Sequence, residues 1–226
     1  MLNYKRMSFS RNKTIFFKFS ALFVLIPTLV LLITSLKMKD GDSLKIGKKM
    51  PLSTLEMTGI DGQNYTLESL KKTNGIVVIF SCNTCPFVVG NDGFEGWEKQ
   101  YNDLHQIALR KGFGFVLVNS NEAKREGEDS LDEMINHAKK AKYTMPYVVD
   151  QDSKLADEFG AKTTPHVFVF DSKSKLVYKG SIDNIWDSKR TETLPYLINV
   201  MDHLTGDTDL IEKSTPPRGC SIKRTK

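Results

Sequence analysis

Cys82 and Cys85 stand two residues apart in the stretch IFSCNTCPFV, residues 79–88. A pair spaced like this can be a redox switch, half of a metal site or a structural staple. A staple across so short a loop would constrain the unfolded chain little. A zinc site would want two more ligands, usually a second Cys or His pair. Cys220 is isolated, and His105, His137, His166 and His203 have no ligand-pair spacing. Thiol–disulfide chemistry is the reading that remains. The apolar run IVVIF before the pair reads as a buried strand, and Pro86 after it suits the first turn of a helix. A helix start carries free N–H groups and partial positive charge, which favour thiolate over thiol. The expectation is that Cys82 is the exposed nucleophile and Cys85 the partly buried resolver, which attacks the mixed disulfide and releases the partner.

Other residues gather around this reading. Ala161-Lys162-Thr163-Thr164-Pro165 precedes a strand far downstream of the cysteines, the position where thioredoxin folds hold a cis-proline. A cis X-Pro bond marks a tight, functional turn. It would expose the backbone of Thr164 beside the cysteines, able to pair with an extended substrate segment. Cys220, in Arg218-Gly219-Cys220-Ser221, is either a third redox thiol reaching back to the pair or a lone surface cysteine; a Cys82–Cys220 disulfide would mark the first. His166 follows the proline and could stabilise the Cys82 thiolate, or titrate with it, unless its strand turns it away. Asn119, Ser120 and Asn121 end a core strand on the side where α/β ligands lie, and either shape a groove or form a turn. Trp97 and Phe94 read as helix-packing residues.

The elements that must hold these residues can be read in order. Two short extended runs flank Asp61-Gly62, a hairpin dipeptide. Thr66 caps a short helix. The strand at 75–80 leads into a helical stretch from Pro86 to about Arg110, with Gly90, Gly93 and Gly96 predicting a break in its first half. FGFVLVNS at 113–120 is the next buried strand. SLDEMINHAKKAK at 130–142 is an amphipathic helix capped by Ser130, with Glu133 at capping-box spacing. A strand PYVVD, a helix stopped by Gly160 and a hairpin HVFVFD/KLVYKG follow, then a helix over 191–204 stopped by Gly206. Alternating strand and helix predicts a parallel core, and the late hairpin adds antiparallel strands. The fold class is therefore α/β, a central mixed sheet flanked by helices with an N-terminal hairpin.

The chain has 226 residues and a formal charge of +5. Much of the positive charge lies at the two ends. No aromatic-interleaved basic motif accompanies it, so nucleic acid is excluded as a partner. Residues 19–36 carry no charge and are long enough to span a bilayer. Basic residues in 1–18 favour a cytoplasmic N-terminus and place the rest outside, periplasmic in a bacterium. An uncleaved anchor is favoured over a signal peptide, because no small-x-small cleavage site is evident. Residues 37–50 read as a linker, 51–206 as the domain and 207–226 as a polar tail.

From about Leu52 to Lys223 the chain resembles the thioredoxin superfamily, and most closely the redoxin-domain branch described as peroxiredoxin-like. The resemblance rests on IDGQNYTLESL, FSCNTCPFV, VNSNEA with EDS, PYVVDQDSKLADEFGAKTTPHVFVFD, YKGSIDN and GCSIK. It implies that Cys82 is the nucleophile, Cys85 the resolver and Pro165 the cis-proline. It implies a thiol–disulfide oxidoreductase acting on protein disulfides or thiols, needing no cofactor or metal, with a redox partner to reset it. There are departures. Ser81 stands where thioredoxin has Trp, and Ile76 where it has a buried Asp. Peroxiredoxins place Thr or Ser where Ile79 stands and Pro where Gly75 stands, which argues against the rival reading of a thiol peroxidase. A third reading is a non-enzymatic copper chaperone with Cys82, Cys85 and His166 as ligands to Cu(I).

Overall fold

The structure, a computed structural model, describes residues 43–209 and 212–225. The expected membrane segment at 19–36 lies outside them, and among the described residues no helix is long and apolar enough to cross a membrane.

The expected hairpin forms first: β1 (Met57–Thr58) pairs antiparallel with β2 (Asn64–Tyr65), and Asp61 accepts the Gln63 N–H at the turn. A capping box of Thr66 and Ser69 starts α1 (Leu67–Leu70). Next come β3 (Gly75–Ser81), α2 (Pro86–Val89), α3 (Tyr101–Arg110) and β4 (Phe113–Asn119). The break between α2 and α3 falls in the glycine-rich stretch. At Gly96 the backbone φ is +82°, and a Cβ there would collide with the Val88 carbonyl. The chain continues through α4 (Leu131–Ala141), β5 (Tyr147–Val149), α5 (Lys154–Phe159), β6 (Thr163–Thr164), β7 (His166–Asp171), β8 (Leu176–Gly180), α6 (Tyr196–Leu204) and β9 (Cys220–Ser221). Ser130 caps α4 by accepting the Glu133 N–H, and Gly160 ends α5 in the left-handed conformation. The last helix begins at Tyr196, later than the expected 191, because Pro195 bars Leu194 from helical backbone.

The central sheet runs β5-β4-β3-β7-β8. β3, β4 and β5 are parallel; β7 and β8 add antiparallel. Side chains alternate between its faces. Val77, Ile79, Phe115, Leu117, Val167 and Val169 pack with residues of α3, α4 and α6 on one face. Ile76, Val78, Phe80, Val116, Phe168 and Phe170 pack with α1, α5 and the N-terminal segment on the other. Both faces of β3 and β4 are covered, which explains their unbroken apolar sequences.

One boundary is corrected. The expected polar tail beyond 206 does not stand apart, because its far end is built into the domain. The Thr215 Oγ1 accepts the Ser181 N–H, Ile222 is buried in the second core cluster, and Arg224 donates to Asp157 and to the Ala161 carbonyl. β9 pairs antiparallel with β6, Thr163 opposite Ser221 and Thr164 opposite Cys220. Sparse apolar content hides this in the sequence, because the tail is held by polar contacts along its length rather than by an apolar face.

Candidate active site

β3 delivers the thiol pair. It ends at Ser81, whose hydroxyl shares a 3.1 Å hydrogen bond with the buried Tyr101 phenol. The loop 82–85 turns over this floor, and Cys85 is the N-cap of α2. All three cysteines are free. The peptide bond between Thr164 and Pro165 is cis, as expected at this position. It turns Thr164 onto the cysteines. Its Oγ1 lies 3.2 Å from the Cys82 sulfur, and its carbonyl oxygen lies 3.0 Å from the Cys85 sulfur, which donates to it when Cys85 is protonated.

One expectation about the pair is corrected. Cys82 is 2% exposed and Cys85 4% exposed, so Cys82 is no surface nucleophile. The Cys82 thiol donates to the Cys85 sulfur, with further donors from the Cys220 thiol and N–H and from Thr164, and these bring Cys85 down to about 5 against the effect of burial. Cys82 is pushed up correspondingly, chiefly by holding the shared proton and then by burial. The helix is a minor influence. α2 has four residues, and the Cys85 sulfur accepts from none of its N–H groups.

A polar network centred on Asp129, a residue the sequence reading did not single out, fixes the loop. Asp129 is fully buried, and its carboxylate accepts the Asn83 N–H at 2.9 Å, the Asn119 Nδ2 at 2.7 Å and the Asn121 Nδ2 at 2.9 Å. The Tyr147 hydroxyl joins it, donating to the Asn83 Oδ1 and accepting from Asn119. Asn119 and Asn121 therefore position the loop rather than line a groove. The Asn121 Oδ1 also accepts the Lys223 N–H, tying the tail to the same network. Asn119 and Asn121 were marked in the sequence at the end of β4, but the acid that joins them, Asp129 inside the EDS triplet, was not, and nothing in that triplet reveals its burial.

His166 does not reach the cysteines. It shares a sheet face with Phe168, its ring 4.5 Å away, opposite to the face that carries Val167, Cys82 and Cys85. Its Nδ1 accepts the Lys162 N–H, and burial lowers its pKa to about 3. The expected modulator is thus a neutral residue in the wrong layer. The copper ligand set of Cys82, Cys85 and His166 is not assembled, and the described residues contain no cluster of three or more His, Cys, Asp or Glu fit to hold a metal ion. Trp97 packs as expected, stacked on Phe87 and buried in the core, while the partly buried Phe94 meets its ring edge-on.

Cys220 does reach the pair, at Cys85 rather than Cys82. Its N–H donates to the Cys85 sulfur at 3.3 Å. Burial and the neighbouring Cys85 sulfur push its own pKa up to about 11. The backbone edge of Thr164 expected to receive a substrate strand is therefore occupied by β9.

A five-stranded mixed sheet, a CxxC at the end of its central strand and a cis-proline facing it define a protein of the thioredoxin-like class. Within that class the redoxin family model matches residues 45–194, and the chain belongs to the redoxin family. An uncharacterized conserved protein of Geobacillus kaustophilus is similar at 30% identity over 81% of this chain and 94% of that one, with a TM-score of 0.71. A hypothetical protein of Sinorhizobium meliloti 1021 is similar at 25% identity over 81% and 97%, with a TM-score of 0.67. A thioredoxin-like protein solved in its oxidised form shares the fold, at 19% identity over 74% of this chain and all of that one and a TM-score of 0.54. Comparison with curated proteins gave no match.

Proposed function

We propose that this protein is a thiol–disulfide oxidoreductase whose Cys82–Cys85 pair cycles between dithiol and disulfide on protein substrates. One observation carries the reading: two free, buried thiols stand directly against the cis Thr164-Pro165 turn, Cys82 at 3.2 Å from the Thr164 Oγ1 and Cys85 at 3.0 Å from the Thr164 carbonyl oxygen. In the reducing direction, Cys82 attacks a substrate sulfur while its proton passes to the Cys85 thiolate. Cys85 then protonates the first leaving thiolate and attacks Cys82 in the mixed disulfide. The second substrate thiolate departs, and the Cys82–Cys85 disulfide holds the two electrons' worth of oxidation. Substrate docks along Thr164 and Pro165 once β9 has lifted from that edge. The apolar segment 19–36 anchors the domain to a membrane, with the thiols on the extracytoplasmic side, where an unidentified redox partner resets them.

A second reading, thiol peroxidase, is favoured by the burial of Cys82. Peroxide is small enough to enter without moving β9, and Thr164 supplies the hydroxyl that Ile79 cannot. The deciding experiment uses reduced full-length protein in mild detergent at neutral pH. Loss of the Cys82 thiol is followed by quenched alkylation and mass spectrometry, with hydrogen peroxide and a model protein disulfide at equal concentration. Faster reaction with the disulfide is expected. Faster reaction with peroxide by orders of magnitude would replace the oxidoreductase reading by the peroxidase one.

A further inference from the structure

Three thiols, not two, form a chain here. Cys85 is the middle member, touching the Cys82 thiol on one side and the Cys220 thiol and N–H on the other. Cys220 lies outside the residues matched by the family model. It is brought in by β9, and the approach is close. A side chain at Gly219 would fall on the Thr164 carbonyl oxygen. The flanking residues lock the register, with Ile222 donating to the Lys162 carbonyl and Lys223 to Asn121. The Phe87 N–H at the start of α2 points at the Cys220 sulfur. Cys220 is partly exposed where Cys82 and Cys85 are buried.

We propose that Cys220 is a third redox thiol that exchanges with the oxidised pair at Cys85 and carries its disulfide to the surface. The proposal rests on the oxidoreductase reading, because it needs a Cys82–Cys85 disulfide to act upon. The Cys220 thiolate attacks the Cys85 sulfur. The Cys85–Cys220 bond forms, the Cys82–Cys85 bond breaks, and Cys82 leaves as a thiolate that takes up the proton Cys220 gave up. No electrons are gained or lost in this step. An external dithiol then attacks the partly exposed Cys220 sulfur and expels Cys85, a good leaving group because its thiolate is well stabilised. The second thiol of the reductant frees Cys220, and the reductant departs as a disulfide. β9 has a second consequence in this scheme. While Cys220 is bonded to Cys85, it is fastened across Thr164, so an oxidised molecule cannot take a new substrate until it has been reset.

The test is disulfide mapping of the full-length protein in mild detergent, oxidised with diamide, acid-quenched and digested with trypsin without reduction. Lys72, Lys99, Arg218 and Lys223 bound the relevant peptides, so Cys82 and Cys85 fall in one peptide, 73–99, and Cys220 in another, 219–223. A crosslink between the two peptides is expected in the wild type alongside the internal Cys82–Cys85 bond. In Cys82→Ser the crosslink is expected in nearly every molecule. In Cys220→Ser the internal bond alone is expected, and its reduction by dithiothreitol slows roughly tenfold. An internal bond in the wild type with no crosslink in wild type or Cys82→Ser overturns the proposal and leaves the redox pair standing. Failure of the wild type and Cys220→Ser to form the internal bond overturns both. Because the wild type is read directly, the outcome does not depend on a variant folding.

Discussion

Asp129 shows how much of this site depends on one buried acid. Its carboxylate satisfies three donors, two of them side-chain amides and one the backbone of the CxxC loop. Each buried donor left unmet costs about 1–3 kcal/mol. Asp129→Ala is expected to lower stability in urea titrations by at least ~2 kcal/mol. The nearby negative charge also helps to hold the Cys82 pKa up, so that pKa should fall in the same variant. A residue-scale prediction follows for Cys85 too. Its thiolate owes most to the Cys82 donor. In Cys82→Ala, the pH midpoint of Cys85 thiolate absorbance in the ultraviolet should therefore rise from about 5 toward the ordinary thiol range. An unmoved midpoint would place the stabilising influence elsewhere.

At the scale of elements, β9 is the part whose behaviour decides access. Its two strand residues pair with β6, Gly219 allows the close approach to Thr164, and Ile222 and Lys223 fasten the chain just beyond it. Gly219→Ala puts a methyl where the Thr164 carbonyl already stands, so β9 must lift. Alkylation of Cys220 and Cys85 in the reduced protein should then speed up, by roughly tenfold if local opening costs ~1.4 kcal/mol less. An unchanged Cys85 rate would mean that β9 does not gate the pair. The sheet itself sets the limits of such motion. β3 is buried on both faces and hydrogen-bonded to β4 and β7, so the cysteine loop stands on rigid support while its cover is a short edge strand.

The whole molecule carries a pH dependence that originates away from the thiols. His166 is 2% exposed, and burial together with Lys179 and Lys162 depresses its pKa to about 3 from 6.5. Above 6.5 neither the folded nor the unfolded chain protonates it, and it contributes no pH dependence. Between 6.5 and about 3 the unfolded chain binds a proton that the folded chain refuses, so stability falls as pH drops, with a limiting slope of ~1.4 kcal/mol per pH unit. His166→Gln keeps an acceptor for the Lys162 N–H and removes the titration. Its denaturation midpoint should lose less on going from neutral pH to pH ~4 than that of the wild type. Cys85 adds to the same acid sensitivity. Its depressed pKa stabilises the fold at and above the ordinary thiol range, and that contribution is lost as pH falls through about 5.

What was legible in the sequence was local. The continuous apolar runs of β3 and β4, the caps at Thr66 and Ser130, the glycine break after α2 and the late hairpin follow from periodicity, backbone preference and short-range hydrogen bonding, which neighbouring residues determine by themselves. The CxxC and the Thr-Pro turn were legible for the same reason, since each is a short motif whose chemistry lies in its own residues. What the tertiary structure alone decided was partnership across the chain. Whether His166 faced the cysteines depended on which side of β7 it occupied, set by the register of β7 against β3. Whether Cys220 was a stray thiol depended on a polar tail folding back to Thr164 from far along the chain, and polar contacts leave no periodic pattern to read. Burial of Cys82 and of Asp129 depended likewise on segments distant in sequence, so the acidity of each thiol was a property of the assembled site.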